Sequence, residues 1–335
     1  MKVMSLSAPG LANLQSVTLE TPTPGHGEVL VKLHAASLNY VDWMIVQGMF
    51  PGIPYPIVPV ADGAGEIAAL GDGVTDWQVG DRVVPHFYPH WATGPISPTG
   101  LQRARGLSVP GSLAEFTVVP AAGLIRTPAH LTDREAATLP IAATTAWNAI
   151  KAGRLTPGST VLLLGTGVVS LYALQFAKAS GAKVIITSSS DAKLDAVRRM
   201  GADHTINYRS TPAWDVEVQR LTEGRGVDLV VETGGNATFG QSLNAAALGA
   251  TIFVIGMVTG HMLQLNLLPL ITKGLRLQGN NTGSVADLAE AARAITAHQI
   301  RPLLGPSLDW RHSAEALACL ETSQHLGKIT LQIAA

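Results

Sequence analysis

Six residues carry the strongest chemical signal in the chain: Gly165-Thr166-Gly167-Val168-Val169-Ser170. They follow the apolar run Val161-Leu162-Leu163-Leu164 and precede a segment of helical composition. A strand buried on both faces reads as such an unbroken β-prone run. The first glycine permits a tight turn, and the second lets a diphosphate approach the backbone. The helix beyond offers unpaired N–H groups and the positive end of its dipole to the phosphates. Ser170 stands where a third glycine is usual and is small enough for helix to pack on strand. The order strand, turn, helix predicts a dinucleotide site at Gly165 and Gly167.

The next strand selects the dinucleotide. An enzyme for the unphosphorylated coenzyme usually places an acid about 20 residues after the turn, to hold the ribose hydroxyls. That place reads Thr187-Ser188-Ser189-Ser190. A carboxylate there would repel a 2′-phosphate, whereas hydroxyls can donate to one. Lys193 lies just beyond, and Tyr208-Arg209 ends the following strand; phosphate recognition uses such donors and cations. The expected cofactor is therefore NADP(H). Asp191 reads as the N-cap of the next helix.

These residues need a frame. A length of 335 residues predicts about two domains. Up to about Val119 the chain is β-rich, with strands expected at Glu28–Leu33 and around Val83. Pro51, Pro54, Pro56 and Pro59 mark an extended connector. The stretch from His86 to Gly111, rich in Pro, Gly and aromatics, is expected to be a loop and a candidate lid. After Thr132 the pattern changes. A helix is expected over Asp133–Lys151, with Thr132 and Glu135 forming a capping box. Strands at Val161–Leu164, Lys183–Thr187, Thr205–Asn207, Val227–Glu232, Thr251–Ile255 and Leu275–Gln278 then alternate with helices at Ser170–Ser180, Asp191–Met200, Trp214–Thr222 and Thr238–Ala247. That alternation predicts an α/β, doubly wound parallel sheet.

Composition removes several classes. The net charge is −1 and 14% of residues are charged. No Lys/Arg cluster is dense enough to follow a nucleic-acid backbone. Mean hydropathy is +0.25, yet the longest apolar stretch, Val161 to Ala177, is broken by Gly165, Thr166, Gly167, Ser170 and Gln175. No membrane span is expected, nor a signal peptide at Met1-Lys2-Val3-Met4-Ser5. The one cysteine, Cys319, can form neither an internal disulfide nor a four-cysteine zinc site. A reducing, cytoplasmic setting suits it.

Taken together, Ser37-Leu38-Asn39-Tyr40-Val41-Asp42, Asp62-Gly63-Ala64-Gly65-Glu66, Val79-Gly80-Asp81-Arg82-Val83, Ala136-Ala137-Thr138-Leu139-Pro140, Thr144-Thr145-Ala146-Trp147, Gly201-Ala202-Asp203-His204 and Gly224-Arg225-Gly226-Val227-Asp228 are highly specific. Across nearly its whole length the chain resembles the medium-chain dehydrogenase/reductase superfamily, in its zinc-free branch of quinone-oxidoreductase-like and alcohol-dehydrogenase-like enzymes. The resemblance implies a GroES-like β domain from residues 1–124 and 281–335, with a Rossmann nucleotide domain at 125–280. It also implies a homodimer formed edge to edge near Thr251–Ile255 and the segment after it.

Zinc relatives carry a cysteine where Asn39 stands and a His-Glu pair where this chain has Ala61-Asp62, so no metal ligand set is expected. His86 and His90 have i, i+4 spacing, but Pro89 lies between them in a loop. By position, the resemblance puts Asn39 and Thr145 near the nicotinamide or its ribose, and the amides of Val168 and Val169 on the pyrophosphate. Ser189, Lys193 and Tyr208, beside Ser188, fall to the 2′-phosphate. Thr233 and Gly256 line the groove, and Asn280 or Asn281 comes near the nicotinamide end. The family has glycine where Val168 stands.

Without a metal, catalysis rests on holding a hydride donor and a substrate together in a dry cleft. A quinone or α,β-unsaturated carbonyl accepts hydride at an electron-poor carbon, with Tyr40 and Asn39 as candidate hydrogen-bond donors and Asp42 as a candidate proton relay. Met44 stands where some quinone reductases have a tyrosine. Two alternatives stand beside this reading. One is a zinc-free alcohol dehydrogenase or ketone reductase, which would need a stronger oxyanion donor. The other is an NADPH-binding protein without turnover. Phe50, Phe87, Tyr88, Trp91 and Met257 are candidate substrate-pocket residues.

Overall fold

The computed structural model describes every residue except Met257, His261, Gln264, Ser323 and Ala335; the expectation for Met257 therefore lies outside the described residues. The chain forms two compact units, Met1–Thr144 with Gly283–Ala335, and Thr145–Thr282. Residues 125–144, expected with the nucleotide domain, pack with the first unit instead.

The first unit is built on strands. β1 (Lys2–Leu6) and β2 (Leu14–Thr18) form a hairpin. β3 (Glu28–Ser37), β4 (Asp62–Leu70), β5 (Arg82–Pro85), β6 (Phe116–Pro120) and β7 (Leu124–Arg126) belong to a seven-stranded sheet that late strands complete. β3 is its hub, pairing antiparallel with both β4 and β6. Its inward residues Val29, Val31 and Leu33 are fully buried with Ile67 and Val83; each such side chain contributes roughly 1.5–3 kcal/mol. The helix expected over Asp133–Lys151 is broken. Asp133–Ala136 is helical under the Thr132–Glu135 capping box, Leu139–Ala143 is a π-type turn, and Thr144–Gly153 resumes the α-helix. Pro140 removes a backbone donor there, which interrupts the i→i−4 ladder.

The second unit holds β8 (Thr160–Leu163), β9 (Lys183–Ser188), β10 (His204–Asn207), β11 (Val227–Glu232), β12 (Ala246–Val254) and β13 (Arg276–Gly279). All pairs are parallel, in the order β10-β9-β8-β11-β12-β13. That is the doubly wound arrangement, and its winding reverses between β8 and β11, where such sheets bind ligands beyond their carboxyl ends. β8 is central, with Val161, Leu162 and Leu163 fully buried. β12 begins at Ala246, so the helix before it is only Phe239–Ala245.

The chain returns to the first unit with the helix Val285–Ala297 and with β14 (Leu304–Asp309) and β15 (Lys328–Gln332). β15 pairs antiparallel with β3, Thr330 facing Ser37. On its other side β3 sets Ser37 opposite Asp62 of β4. The ends of β15, β3 and β4 thus meet at one place. The His86–Gly111 loop is anchored within this unit, and its start is buried. Val285 and Ala286 donate to the carbonyls of Trp91 and Ala92 at 2.9 and 3.0 Å, and Phe87 and Tyr88 pack on Ala61 and Ala104. Among the described residues, no helix is long and apolar enough to cross a membrane.

Candidate active site

The phosphate turn lies at the switch point of the second unit. Gly165 has φ +74°, the left-handed region that favours glycine, and a Cβ on Gly165 or Gly167 would meet no atom within 4 Å. The Gly165 N–H is not free: it donates to Thr187 Oγ1 at 3.2 Å. The N–H groups left for an anion are those of the helix Val168–Ala179, whose N-cap Gly167 has no capping side chain. Val168 and Val169 open that helix. Ser170 Oγ donates to the Leu164 carbonyl at 3.1 Å, and Thr233 Oγ1 donates to the same oxygen at 2.6 Å. The serine in the third-glycine position thus ties helix to strand.

Beside the turn, Ser188 Oγ lies 3.2 Å from Thr166 Oγ1, and Tyr208 N–H donates to the Ser188 carbonyl at 3.0 Å. Ser190, not Asp191, is the N-cap of the helix Asp191–Arg199, accepting from the Lys193 N–H at 3.4 Å. Asp191 opens the helix and accepts from Asn207 Nδ2 at 2.8 Å. Ser188, Ser189, Lys193 and Tyr208 therefore share one end of the sheet, and partial burial lowers the ammonium pKa of Lys193. At the ends of β11 and β12, Thr233 and Gly256 touch: a Cβ on Gly256 would stand 1.8 Å from the Thr233 carbonyl oxygen. Asn280 N–H donates to the Val254 carbonyl at 3.1 Å. Thr145 is buried on the helix Thr144–Gly153.

The catalytic candidates gather where β15, β3 and β4 meet, in the first unit. Asn39 caps the helix Tyr40–Val46. Its Nδ2 donates to Asp62 Oδ2 at 2.8 Å, and its Oδ1 accepts from Lys328 Nζ. Lys328 Nζ also lies 3.7 Å from Asp62 Oδ2. Asp42 is committed to backbone, accepting from Asn39 N–H at 2.7 Å and Ala61 N–H at 3.0 Å. That capping role leaves it poorly suited to the expected proton relay. Tyr40 opens the same helix, is 44% exposed and stacks on Trp43 at 5.3 Å.

Asp62 and Lys328 went unnoticed as site residues in the sequence. Both are buried, and burial pushes the Asp62 carboxyl up to about 7, against the pull of the Lys328 ammonium. Asp62 Oδ1 has no hydrogen-bond partner among the described residues. The Ile141 amide favours its ionised form without completing a hydrogen bond of ordinary geometry. Arg105, also buried, donates to Thr117 Oγ1 at 3.1 Å and Ser112 Oγ at 3.0 Å, and Ser112 Oγ in turn donates to the Ala61 carbonyl. His86 is buried and held neutral, its pKa pushed down to about 4 by desolvation, while His90 faces outward. The two do not converge. Among the described residues, no group of three or more His, Cys, Asp or Glu could hold a metal ion.

Two family models match, Alcohol dehydrogenase GroES-like domain over residues 25–129 and Zinc-binding dehydrogenase over residues 168–297. A zinc-type alcohol dehydrogenase-like protein of Schizosaccharomyces pombe is 39% identical, covering 92% of this chain and 91% of that one. An acryloyl-coenzyme A reductase of Metallosphaera sedula is 30% identical over 93% and 94%. Among solved structures, an NAD-dependent alcohol dehydrogenase superposes with TM-score 0.91 at 33% identity, covering both chains fully. A mycobacterial quinone oxidoreductase gives 0.83 at 27%, over 99% and 100%. A mycobacterial protein complexed with NADPH gives 0.83 at 28% over the same shares.

Proposed function

The chain belongs to the medium-chain dehydrogenase/reductase superfamily and is an oxidoreductase of the alcohol dehydrogenase type, and from that premise we propose that it is an NADP(H)-dependent, zinc-independent reductase of quinones or α,β-unsaturated carbonyls. One observation carries the reading: a bare phosphate turn stands beside hydroxyls, with an ammonium at Lys193, where a carboxylate would select NAD(H). The amides of Val168 and Val169 would take the pyrophosphate. Ser188, Ser189, Lys193 and Tyr208 would take the 2′-phosphate, Thr233 and Gly256 would bound the groove, and Thr145, Asn280 and Asn281 would serve the nicotinamide end. When bound, NADPH supplies the hydride.

The zinc of the family name does not fit. A catalytic zinc needs thiolate, imidazole or free carboxylate ligands. Here a carboxamide and a methyl group stand in their places, and the adjoining carboxylate is already paired with Asn39 and Lys328. Polarisation of the substrate oxygen then falls to hydroxyl and amide donors, which suits acceptors that spread charge through conjugation. Tyr40, next to Asn39 in the chain and 44% exposed, supplies that donor, and the proton follows from it or from water. The relatives named for acryloyl-coenzyme A and quinone reduction support this substrate class. The outward β13 edge supports a homodimer, and the single cysteine a cytoplasmic setting.

Calorimetry with NADPH and NADH, followed by NADPH oxidation with quinone, enone and ketone panels in the presence of EDTA, tests the reading. Tighter NADPH binding and EDTA-resistant turnover of quinones or enones are expected. Tighter NADH binding, or activity lost to EDTA, overturns it. Turnover confined to ketones favours the alcohol dehydrogenase alternative, and tight binding without turnover the binding protein.

A further inference from the structure

Four ionisable groups of the first unit are withdrawn from water together: Asp42 and Asp62 at 0% exposure, Lys328 and Arg105 at 1%. They come from four separate stretches of chain. Lys328, the first residue of β15, is 289 positions from Asn39, yet β15 lays it alongside, because Leu38 N–H donates to the Ile329 carbonyl at 3.0 Å. With Asp62 ionised, two carboxylates, one ammonium and one guanidinium balance to zero; with it protonated, below about pH 7, the set carries one positive charge. A buried charge persists only when paired or hydrogen-bonded: Lys328 lies against Asp62, Asp42 accepts from Asn39 and Ala61, and Arg105 donates to Thr117 and Ser112.

The oxygens around Lys328 Nζ are of the hard kind that receive a cation: the Asn39 carboxamide oxygen in contact and Asp62 Oδ2 at 3.7 Å. Burial lowers the ammonium pKa, and Asp62 and then Asp42 oppose that fall. Oxygen sets of this type bind divalent ions elsewhere. Here the cation is covalently part of the chain. We propose that Lys328 is the resident cation of this site: its ammonium occupies the centre that a metal ion would need, bars a divalent ion by charge, and fixes the Asn39 carboxamide as a positioning residue. The inference deepens the zinc-independent reading and rests on it for the role in turnover, but its charge argument stands on Asp42, Asp62, Arg105 and Lys328 alone. Asn39 has no free choice of orientation, because its oxygen is held by the ammonium and its nitrogen by Asp62. A divalent ion added to a neutral, buried cluster would bring charge that no further group offsets.

The test uses the whole chain and reads metal content and thermal unfolding as well as turnover. Wild type incubated with zinc or magnesium and then desalted should retain no stoichiometric metal and show no change in Tm. Lys328→Ala opens the space and strands two carboxylates. Its Tm should fall, and methylammonium or a divalent ion should restore it. Lys328→Met keeps the volume without the charge. Its kcat should drop at least roughly tenfold, because the Asn39 carboxamide loses its fixed orientation, with KM for NADPH little changed and Lys328→Arg recovering part. If these variants fail to fold, Lys328→Met combined with Asp62→Asn removes one charge of each sign and should fold better than Lys328→Met alone. The proposal is overturned by metal uptake in wild type, by a Lys328→Ala protein indifferent to both ammonium and metal, by an unimpaired Lys328→Met enzyme, or by a double variant no more stable than the single. Absence of NADPH turnover would sink the proposed reaction while leaving these metal and thermal readouts intact.

Discussion

Asp62 and Glu232 are both acids with no solvent exposure, each on a strand of its own unit, and they are buried by opposite means. Glu232 ends β11 ringed by neutral donors. Its Oε1 accepts from Gly234 N–H at 2.8 Å, Gly235 N–H at 3.0 Å and Thr238 Oγ1 at 2.7 Å, and its Oε2 from Ser242 Oγ at 2.5 Å. Every donor lies within ten residues of it, so one turn and the helix behind it satisfy the charge locally. Asp62 draws on a lysine from the far end of the chain and an asparagine from another strand end, and its Oδ1 has no hydrogen-bond partner among the described residues. A buried acid satisfied by local dipoles is scaffold. Buried acids with strongly perturbed pKa values and a specific charge partner cluster at functional sites, which makes Asp62 the candidate of the two.

The contrast predicts the largest effect at Glu232. Glu232→Ala strands four donors around a cavity, and hydrogen bonds to charged groups are worth roughly 1.5–3 kcal/mol each. We expect a loss of about 3–5 kcal/mol, read as a Tm lower by on the order of 10 °C, in apo protein. A Tm change of a degree or two would mean that the turn after β11 does not need its acid.

Next in size is a charge placed among the neutral donors of the second unit. Ser189→Asp puts a carboxylate where the 2′-phosphate is expected, and like charges in contact cost several kcal/mol. Calorimetry should show NADPH binding weakened roughly 100-fold, with NADH binding unchanged or improved. Equal weakening of both coenzymes would place the phosphate elsewhere.

Asp62 should reveal itself by pH. Burial raises its folded pKa from the ordinary carboxylate value to about 7, with Lys328 and Asn39 opposing the rise and Asp42 adding to it. The folded state therefore binds the extra proton between about pH 4 and 7, so its share of stability is full below that window and lost as pH rises through it. Arg105 shares the surroundings but stays charged throughout. Urea unfolding of wild type should show stability falling across the window by on the order of 4 kcal/mol relative to Asp62→Asn. Parallel profiles would mean that the carboxyl does not titrate there.

The two acids also show what a sequence exposes. The glycine turn, the serines beyond β9 and the alternation of strands and helices are all local patterns, and the parallel sheet follows from them. The Thr132–Glu135 capping box is as local, and it forms. What failed to show depends on distance or on a neighbour's backbone. Pro140 divides a helix whose composition reads as continuous. The anchoring of the His86–Gly111 loop needs carbonyls meeting the helix at Val285. Asp62 was visible as part of a motif, but nothing near Lys328 in the chain announces its partner, because the pair exists only through the register of β15 on β3.

The smallest effect is expected at Tyr40, which tests whether the exposed corner takes part at all. Its ring lies on Trp43 and nearly half of it is in solvent, so Tyr40→Phe removes a hydroxyl without disturbing packing, and Tm should hold. If that hydroxyl polarises the substrate oxygen, kcat for an enone should fall by roughly tenfold or less, because water can replace a donor at an exposed position. The loss should be larger for a ketone, which lacks conjugation to spread the developing charge. An unchanged kcat for both substrates removes Tyr40 from the reaction.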